Sequence, residues 1–190
     1  MKTKLRWTGI MLATMALGVL AGCNKGKCDG TVPEKEPAKA AANLVGEDQG
    51  PNPWVVDVEE LTVGNPNFRA AQWTGTYLQM TVMTIKPGGQ IGLEQHNTTD
   101  QFIRVESGKA RVLMGKTKDN LDWVKEVGDD FAIFIPAGWW HNVLNIGDTD
   151  LKVYSIYGPP NHPKGTLHKT YEEAEAAHEH HHEDGDHDHH

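Results

Sequence analysis

The 190-residue sequence predicts an all-β domain, and two observations support this prediction. Between about residues 53 and 160, short stretches rich in β-branched and aromatic residues alternate in polarity, as half-buried strands do. Turn signals separate these stretches at spacings of roughly 8 to 12 residues. No segment in this region has a convincing helical period, and there is no internal repeat. The pattern is typical of a β-sandwich or a β-barrel.

The predicted strands follow one another along the chain. They are TYLQMTVMTI (76–85), QFIRVES (101–107), KARVLM (109–114), LDWVKEV (121–127), DFAIFIP (130–136) and LKVYSIY (151–157). A further strand is expected after the Pro-x-Gly turn at 136–138. Glycine, proline, serine and aspartate mark the turns because they accept the backbone conformations that turns require. These turns are PGG (87–89), SG (107–108), GD (128–129), PAG (136–138) and GD (147–148).

Residues 1–22 have the features of a signal peptide. Three basic residues precede an apolar run that is short for a membrane span, which needs about 20 apolar residues. The run ends in LAGC (20–23), which resembles the bacterial lipobox. That resemblance implies cleavage before Cys23, acylation of Cys23 and an extracytoplasmic, membrane-anchored lipoprotein. With Asn24 following, outer-membrane placement is expected if the host is Gram-negative. An ordinary signal cleaved elsewhere and an uncleaved anchor are the alternatives.

Two polar segments flank the β-rich region. Residues 23–50 contain few large apolar side chains and are predicted to form a flexible tether before a domain at residues 51–165. In residues 166–190, Thr170 and Glu173 have the spacing of a capping box, so a short helix is expected there. A His/Asp/Glu-rich tail follows. Seven of the eleven histidines lie after residue 177; such a tract binds Zn, Ni or Cu loosely, or is only solvated.

Charge and cysteine content exclude some partners. Loss of residues 1–22 removes three positive charges and leaves 15 basic against 26 acidic residues, a net charge of −11 with neutral histidines. A nucleic-acid backbone is therefore not an expected partner, since it requires clustered Lys and Arg. With Cys23 acylated, Cys28 would be a free thiol or form an intermolecular bridge, so the domain has no internal disulfide.

Strand alternation brings chemically notable side chains onto shared faces. Glu94 and His96 project together, and Gln101 shares its face with apolar residues that point to the interior. His141 lies on a face of the strand after the Pro-x-Gly turn. A divalent metal ion would satisfy Glu94, His96, Gln101 and His141 together, because two imidazoles and a carboxylate commonly bind such ions. Taken singly, each residue is more often a hydrogen-bonded or solvated side chain.

Two stretches resemble the motifs of the cupin superfamily. The motifs are G-x5-H-x-H-x3,4-E-x6-G and G-x5-7-P-x-G-x2-H-x3-N. The first keeps its glycines and its second histidine, His96, but Glu94 replaces the first histidine and Gln101 replaces the glutamate. The second motif is complete: Gly128, Pro136, Gly138, His141 and Asn145. The resemblance covers about residues 54–160. With the trailing YGPPNHPKGTLHKT (157–170), the chain is similar to small single-domain bacterial cupins labelled mannose-6-phosphate-isomerase-like.

The resemblance implies a conical, jelly-roll-like β-barrel with a metal ion inside, held by Glu94, His96, Gln101 and His141. It implies Mn, Fe, Zn or Ni as the ion and a small molecule as substrate. The expected chemistry is isomerisation or elimination on a sugar or sugar acid, with the metal as a Lewis acid. His162 and His168 are candidate acid/base groups, although loop histidines often have no role. Cupins often pair through their sheets, which implies a homodimer.

Two other functions fit the same sequence. In one, the chain is a metal-scavenging lipoprotein whose His-rich tail captures ions. In the other, it is a non-catalytic module that binds a carbohydrate at the cell surface. Loss of residues 178–190 would harm metal handling more than loss of His141 in the first case. Ligand affinity would survive loss of the metal in the second.

Overall fold

The computed structural model describes residues 46–183. The predicted signal peptide, Cys23, Cys28, most of the tether and the last part of the His-rich tail lie outside these residues. Two helices are present in the described range, α1 Val58–Gly64 and α2 Tyr171–Glu183. The strands are β1 Arg69–Thr74, β2 Gln79–Ile85, β3 Glu94–Gln95, β4 Asp100–Ser107, β5 Ala110–Gly115, β6 Trp123–Val127, β7 Ala132–Ile135, β8 Trp140–Asn145, β9 Leu151–Gly158 and β10 Leu167–His168.

The strands form two antiparallel sheets, which confirms the predicted all-β fold and its barrel or jelly-roll type. The larger sheet has the order β10-β1-β2-β9-β4-β7, and the smaller has the order β3-β8-β5-β6. Apolar side chains from both sheets form one cluster of buried residues between them, as in other two-sheet β-domains. No helix among residues 46–183 is long and apolar enough to cross a membrane.

The inward face of the larger sheet is polar at one end and apolar at the other. The direct pairings of Gln79 with Tyr157 and of Tyr157 with Gln101 place three buried polar side chains in one row across β2, β9 and β4. The corresponding apolar row lies four residues away along each strand and consists of Met83, Val153 and Val105. Because each buried polar group needs a partner, the polar end is where a ligand site is expected.

Three elements were not anticipated from the sequence: α1, β1 and the two-residue strand β10. Helix α1 occupies residues 58–64, inside the region in which the sequence shows no helical period. Its seven residues are too few to show a helical period, and it is started by Asp57, whose side chain accepts a hydrogen bond from the Glu60 amide at 3.0 Å. Strand β1 was missed because its first four residues are all buried, so it shows no alternation of polarity.

The segments before and after the barrel strands both make hydrogen bonds to β1. Asp48, in the segment assigned to the tether, accepts hydrogen bonds from Thr74 in β1 and from the Gly165 amide. Strand β10, in the segment assigned to the tail, pairs with β1. The helix expected after Thr170 is present, and the Thr170 hydroxyl accepts a hydrogen bond from the Glu173 amide at 3.3 Å.

The outer face of the larger sheet exposes apolar side chains near the β7 edge. Phe134 is 72% exposed, and its ring packs edge-on against Phe102 at 5.2 Å. Leu78 lines the same shallow surface. The homodimer expected from the cupin resemblance stays a prediction.

Candidate metal centre

Strand pairing brings Glu94, His96 and His141 together. Glu94 in β3 lies directly opposite His141 in β8, and His96 follows two residues after Glu94, where alternation returns it to the same side. The turn before β8 holds the two stretches in place, because the Gly138 amide donates to the His96 carbonyl at 2.8 Å. Gly138 has φ +78°, a conformation that glycine adopts without the strain of a side chain.

Three potential ligand atoms converge at this point. The Glu94 Oε1 atom lies 3.3 Å from His141 Nε2 and 3.4 Å from His96 Nε2, and one ligand atom from each residue lies within 4.8 Å of the others. His141 is fully buried, and the side chains of His96 and Glu94 are 9% and 12% exposed. Two imidazoles and one carboxylate form a donor set for a first-row divalent ion.

The hydrogen bonds at the cluster leave the imidazole nitrogens available as ligands. His141 Nδ1 lies 3.1 Å from the Trp139 carbonyl, which only accepts, so Nδ1 carries a proton and Nε2, beside Glu94, is the nitrogen that would bind a metal ion. His96 Nε2 is buried and makes no hydrogen bond to a described residue. The Nε2 atoms of both imidazoles therefore lie beside one carboxylate oxygen, an arrangement in which a bound cation would be held by all three residues. The residues present fit a metal ion.

The Glu94 carboxyl is held in its anionic form. Burial by itself raises the pKa of this group, but the His141 and His96 imidazoles and the positive charge of Arg69 outweigh burial and hold the pKa well below its ordinary value. Arg69 Nη2 lies 3.9 Å from Glu94 Oε2. An ionised carboxylate is the form that a metal ion binds.

Gln101 is buried in the barrel interior, 2% exposed, but its contacts are different from those of the other three. Its amide donates to the Tyr157 hydroxyl at 3.1 Å and to the Ser155 hydroxyl at 3.4 Å. The amide oxygen makes no hydrogen bond to a described residue, so it is free to act as a ligand. The assignment of Gln101 as a metal ligand stays a prediction.

Tyr157 lies between the cluster and the barrel mouth. Its ring packs edge-on against His96 at 5.8 Å and against His162 at 5.1 Å. Complete burial raises the pKa of Tyr157 to about 12, so the phenol stays protonated at physiological pH. A protonated phenol in this position can donate a hydrogen bond to a bound molecule.

A cavity of about 360 Å³ opens at the mouth beside His96. Both candidate acid/base residues, His162 and His168, line it, together with Thr166 and with Ala177 of α2. Their catalytic role stays a prediction, but the structure places both in the cavity that His96 also lines. The volume falls in the range of small-molecule sites.

Gln79 fixes the loop that carries His162. The Gln79 amide nitrogen donates to the His162 carbonyl at 2.8 Å and to the Thr74 hydroxyl at 3.0 Å. Its amide oxygen accepts hydrogen bonds from the Asn161 and His162 amides. Three of the four hydrogen bonds of this buried amide thus hold Asn161 and His162 at the mouth of the cavity, and the fourth joins it to β1.

Arg69 was not anticipated as a site residue. It is 1% exposed and is the first residue of β1, the strand that the sequence pattern did not reveal. In the sequence, the available signal was the position of Arg69 before two alanines. Whether the Arg69 side chain faces the interior or the solvent can be decided only when the start of the strand is known. Tyr157 and Gln79 lie in predicted strands, where residue type alone does not distinguish packing from function.

Comparisons with known proteins identify a cupin domain in this chain. The family model of the cupin domain matches residues 81–157. The protein YrkC of Bacillus subtilis (strain 168) is 53% identical over 135 residues, which cover 71% of this chain and 73% of YrkC. The protein L612 of Acanthamoeba polyphaga mimivirus is 42% identical over 115 residues, which cover 60% of this chain and 70% of L612.

A solved structure is also similar to this chain. The crystal structure of BH2720 from Bacillus halodurans is 55% identical in sequence and superposes with a TM-score of 0.67, over 68% of this chain and 98% of that chain. Together with the two-sheet barrel and the cluster inside it, these similarities show that the chain belongs to the cupin superfamily.

Proposed function

We propose that this chain is a metal-dependent cupin enzyme that acts on a small molecule, by isomerisation or elimination on a sugar or sugar acid. The observation that carries the proposal is the position of His96. Its imidazole belongs both to the cluster with Glu94 and His141 and to the lining of the mouth cavity. A molecule in that cavity therefore lies against the site where a metal ion would be held.

The donor set of Glu94, His96 and His141 suits Mn, Fe, Zn or Ni. A bound divalent ion would polarise a carbonyl or hydroxyl oxygen of the substrate. The Tyr157 phenol would supply a hydrogen-bond donor, since its raised pKa keeps it protonated. His162, held at the cavity through its own backbone by Gln79, would supply or accept a proton near neutral pH.

The metal site is tested by measuring the metal content of the full chain by mass spectrometry after reconstitution with each of the four ions. The His96→Ala and His141→Ala variants carry the same His-rich tail, so a difference from the wild type reports on the barrel alone. About one equivalent per chain is expected to disappear in both variants. Equal metal content in all three proteins would contradict the proposal.

The catalytic part is tested by following aldoses and uronic acids by NMR in the presence of the loaded protein. His162→Ala is expected to keep its metal and to lose about 100-fold in rate, the usual contribution of a general acid or base. His168→Ala is the comparison from the same cavity. A loaded protein that converts no member of this series, but binds one of them with or without the metal, would favour the carbohydrate-binding alternative.

The metal-scavenging alternative has one supporting observation. Ala177 of α2 lines the mouth cavity, and the helix continues through a segment of the chain that contains His178 and His180–His182. A comparison of metal tolerance in cells decides between the functions. Greater harm from deleting residues 178–190 than from His141→Ala would favour scavenging.

Membrane anchoring through Cys23 is part of the proposal and rests on the LAGC sequence at 20–23. Cys23→Ser is expected to abolish incorporation of a labelled fatty acid and to release the protein from the membrane fraction. Cys28→Ser is the matched control and is expected to stay anchored. Labelling that persists in Cys23→Ser would exclude acylation at this residue.

A further inference from the structure

The guanidinium of Arg69 lies inside the barrel. Its neighbour Ala70 packs against Leu61 of α1 and Val82, so the alternating side chain of Arg69 faces the opposite, inner side of the sheet. Arg69 pairs across β1 with Met83, a core residue, and with His168, which lines the mouth cavity. It is among the largest fully buried side chains of the described chain.

This buried cation is incompletely satisfied by the protein. The Nε and Nη1 atoms are buried and make no hydrogen bond to a described residue. The carboxylate of Glu94 lies 3.9 Å from Nη2, which is an ion-pair distance but is too long for a hydrogen bond. Leaving charged donors buried without partners is strongly unfavourable, so a native site that keeps them is expected to use them.

The charges around Arg69 favour an anion. Glu94 is the single carboxylate in the described cluster, and the same group would compensate a bound divalent ion. The ion and Arg69 together carry three positive charges against the one negative charge of Glu94, since imidazoles bind a metal ion in their neutral form and Tyr157 stays protonated. Two positive charges then remain uncompensated in a mostly buried interior, where electrostatic attraction is stronger than in water.

We propose that Arg69 binds the carboxylate of the substrate, so that the substrate is a hydroxy acid or an oxo acid. This inference deepens the proposed function and rests on it. Arginine suits the task because its guanidinium is always charged and forms strong, charge-assisted hydrogen bonds with carboxylates. His168 connects the site to the outside, since it is both the cross-strand neighbour of Arg69 and part of the cavity lining.

A purely structural role makes a different prediction. If Arg69 served only as a counter-charge that keeps Glu94 ionised, its removal would weaken metal binding but would give the site no preference between acids and neutral analogues. A preference for the acid that depends on Arg69 is therefore the property to measure.

The experiment is a calorimetric titration of the full chain with glycolate and with its neutral analogue glycolamide, in both zinc-loaded and metal-free protein. The wild type is expected to bind glycolate at least about tenfold more tightly than glycolamide. Arg69→Met is expected to lose that preference, and Arg69→Lys to keep part of it. Arg111→Met removes an exposed arginine from β5 and is expected to behave as the wild type.

Three results would overturn the inference. The first is that the wild type binds glycolate and glycolamide with equal affinity. The second is that a folded Arg69→Met variant keeps the full preference for glycolate. The third is that the protein binds inorganic phosphate through Arg69 but does not bind glycolate. The first result is measured on the wild type alone, so the inference can still be overturned if the Arg69→Met variant does not fold. Failure of the wild type to take up zinc contradicts the proposed function separately, and the preference is then judged on the metal-free protein.

Discussion

The Glu94 carboxylate lies 3.9 Å from the Arg69 guanidinium, while its other oxygen faces the Nε2 atoms of His141 and His96 at 3.3 and 3.4 Å. One carboxylate thus interacts with a permanent cation on one side and with two imidazole nitrogens on the other. Because Arg69 helps to keep Glu94 ionised, the ligand is already in the form that a metal binds.

Replacing Glu94 by glutamine is expected to lower metal affinity by more than about 100-fold, because the site loses its anionic ligand. Competition with a chromophoric chelator measures this effect. Glu126→Gln, which changes an exposed glutamate paired with Arg111, is the matched control and is expected to leave the affinity unchanged. An unchanged affinity in Glu94→Gln would remove Glu94 from the ligand set.

Metal loading is expected to stabilise the folded protein. A ligand that binds only the native state adds about 2.7 kcal/mol at 100 times its Kd, which raises the melting temperature by several degrees. Scanning calorimetry with and without a chelator measures the shift. His141→Ala keeps the tail but loses the barrel site, so its melting temperature is expected not to respond to the chelator. An equal response in both proteins would assign the effect to another site.

Gln79→Ala is expected to destabilise the protein by about 3 kcal/mol. The substitution removes all four hydrogen bonds of a fully buried amide, including the three that it makes with the backbone of Asn161 and His162. Urea unfolding measures the change. Gln49→Ala removes one exposed hydrogen bond to Glu47 and is expected to change stability by less than about 0.5 kcal/mol. Similar effects of the two substitutions would contradict the role given to Gln79.

Asn145, the last residue of the second cupin motif, is expected to act in folding and not in metal binding. Its amide donates to the Ile85 and Thr149 carbonyls at 2.8 Å each and accepts from the Gly147 amide at 2.9 Å. Asn145→Ala is expected to cost about 3 kcal/mol of stability while the folded variant keeps its metal. The exposed Asn52→Ala serves as control. Loss of metal from folded Asn145→Ala would refute this separation.

Asp48 predicts a pH-dependent contribution to stability. Burial raises the pKa of this carboxyl, but hydrogen bonds from Thr74, Gly165 and Gly50 outweigh burial and lower the pKa below its ordinary value. A lowered folded pKa means that the stabilisation is complete above the unfolded pKa of about 3.9 and is lost as pH falls through the folded value.

Asp48→Asn is therefore expected to cost about 1 to 2 kcal/mol at pH 7, and this difference from the wild type is expected to shrink below about pH 4. Urea unfolding of both proteins between pH 7 and pH 3 measures it. Asp119→Asn, an exposed substitution, provides the comparison. A difference that stays constant across this range would show that the Asp48 charge is not responsible.

The local pattern of the sequence determined the fold class and most of the strands. Alternating polarity and turn residues are short-range signals, so strands β2, β4, β5, β6, β7, β8 and β9 and the turn glycines were visible without the structure. Strand alternation placed Glu94 and His96 on one face, and the resemblance to the cupin motifs brought them together with His141. The Thr170–Glu173 spacing predicted the start of α2.

Only the tertiary structure decided what these residues contact. The pairing of β3 with β8 joins positions 47 residues apart, and the interior position of Arg69 follows from the pairing of β1 with β2 and β10. The Gln101 amide has Tyr157 and Ser155 as partners because β4 lies beside β9. Such contacts depend on sheet order and register between distant segments, and nothing in the local pattern of a single chain fixes them.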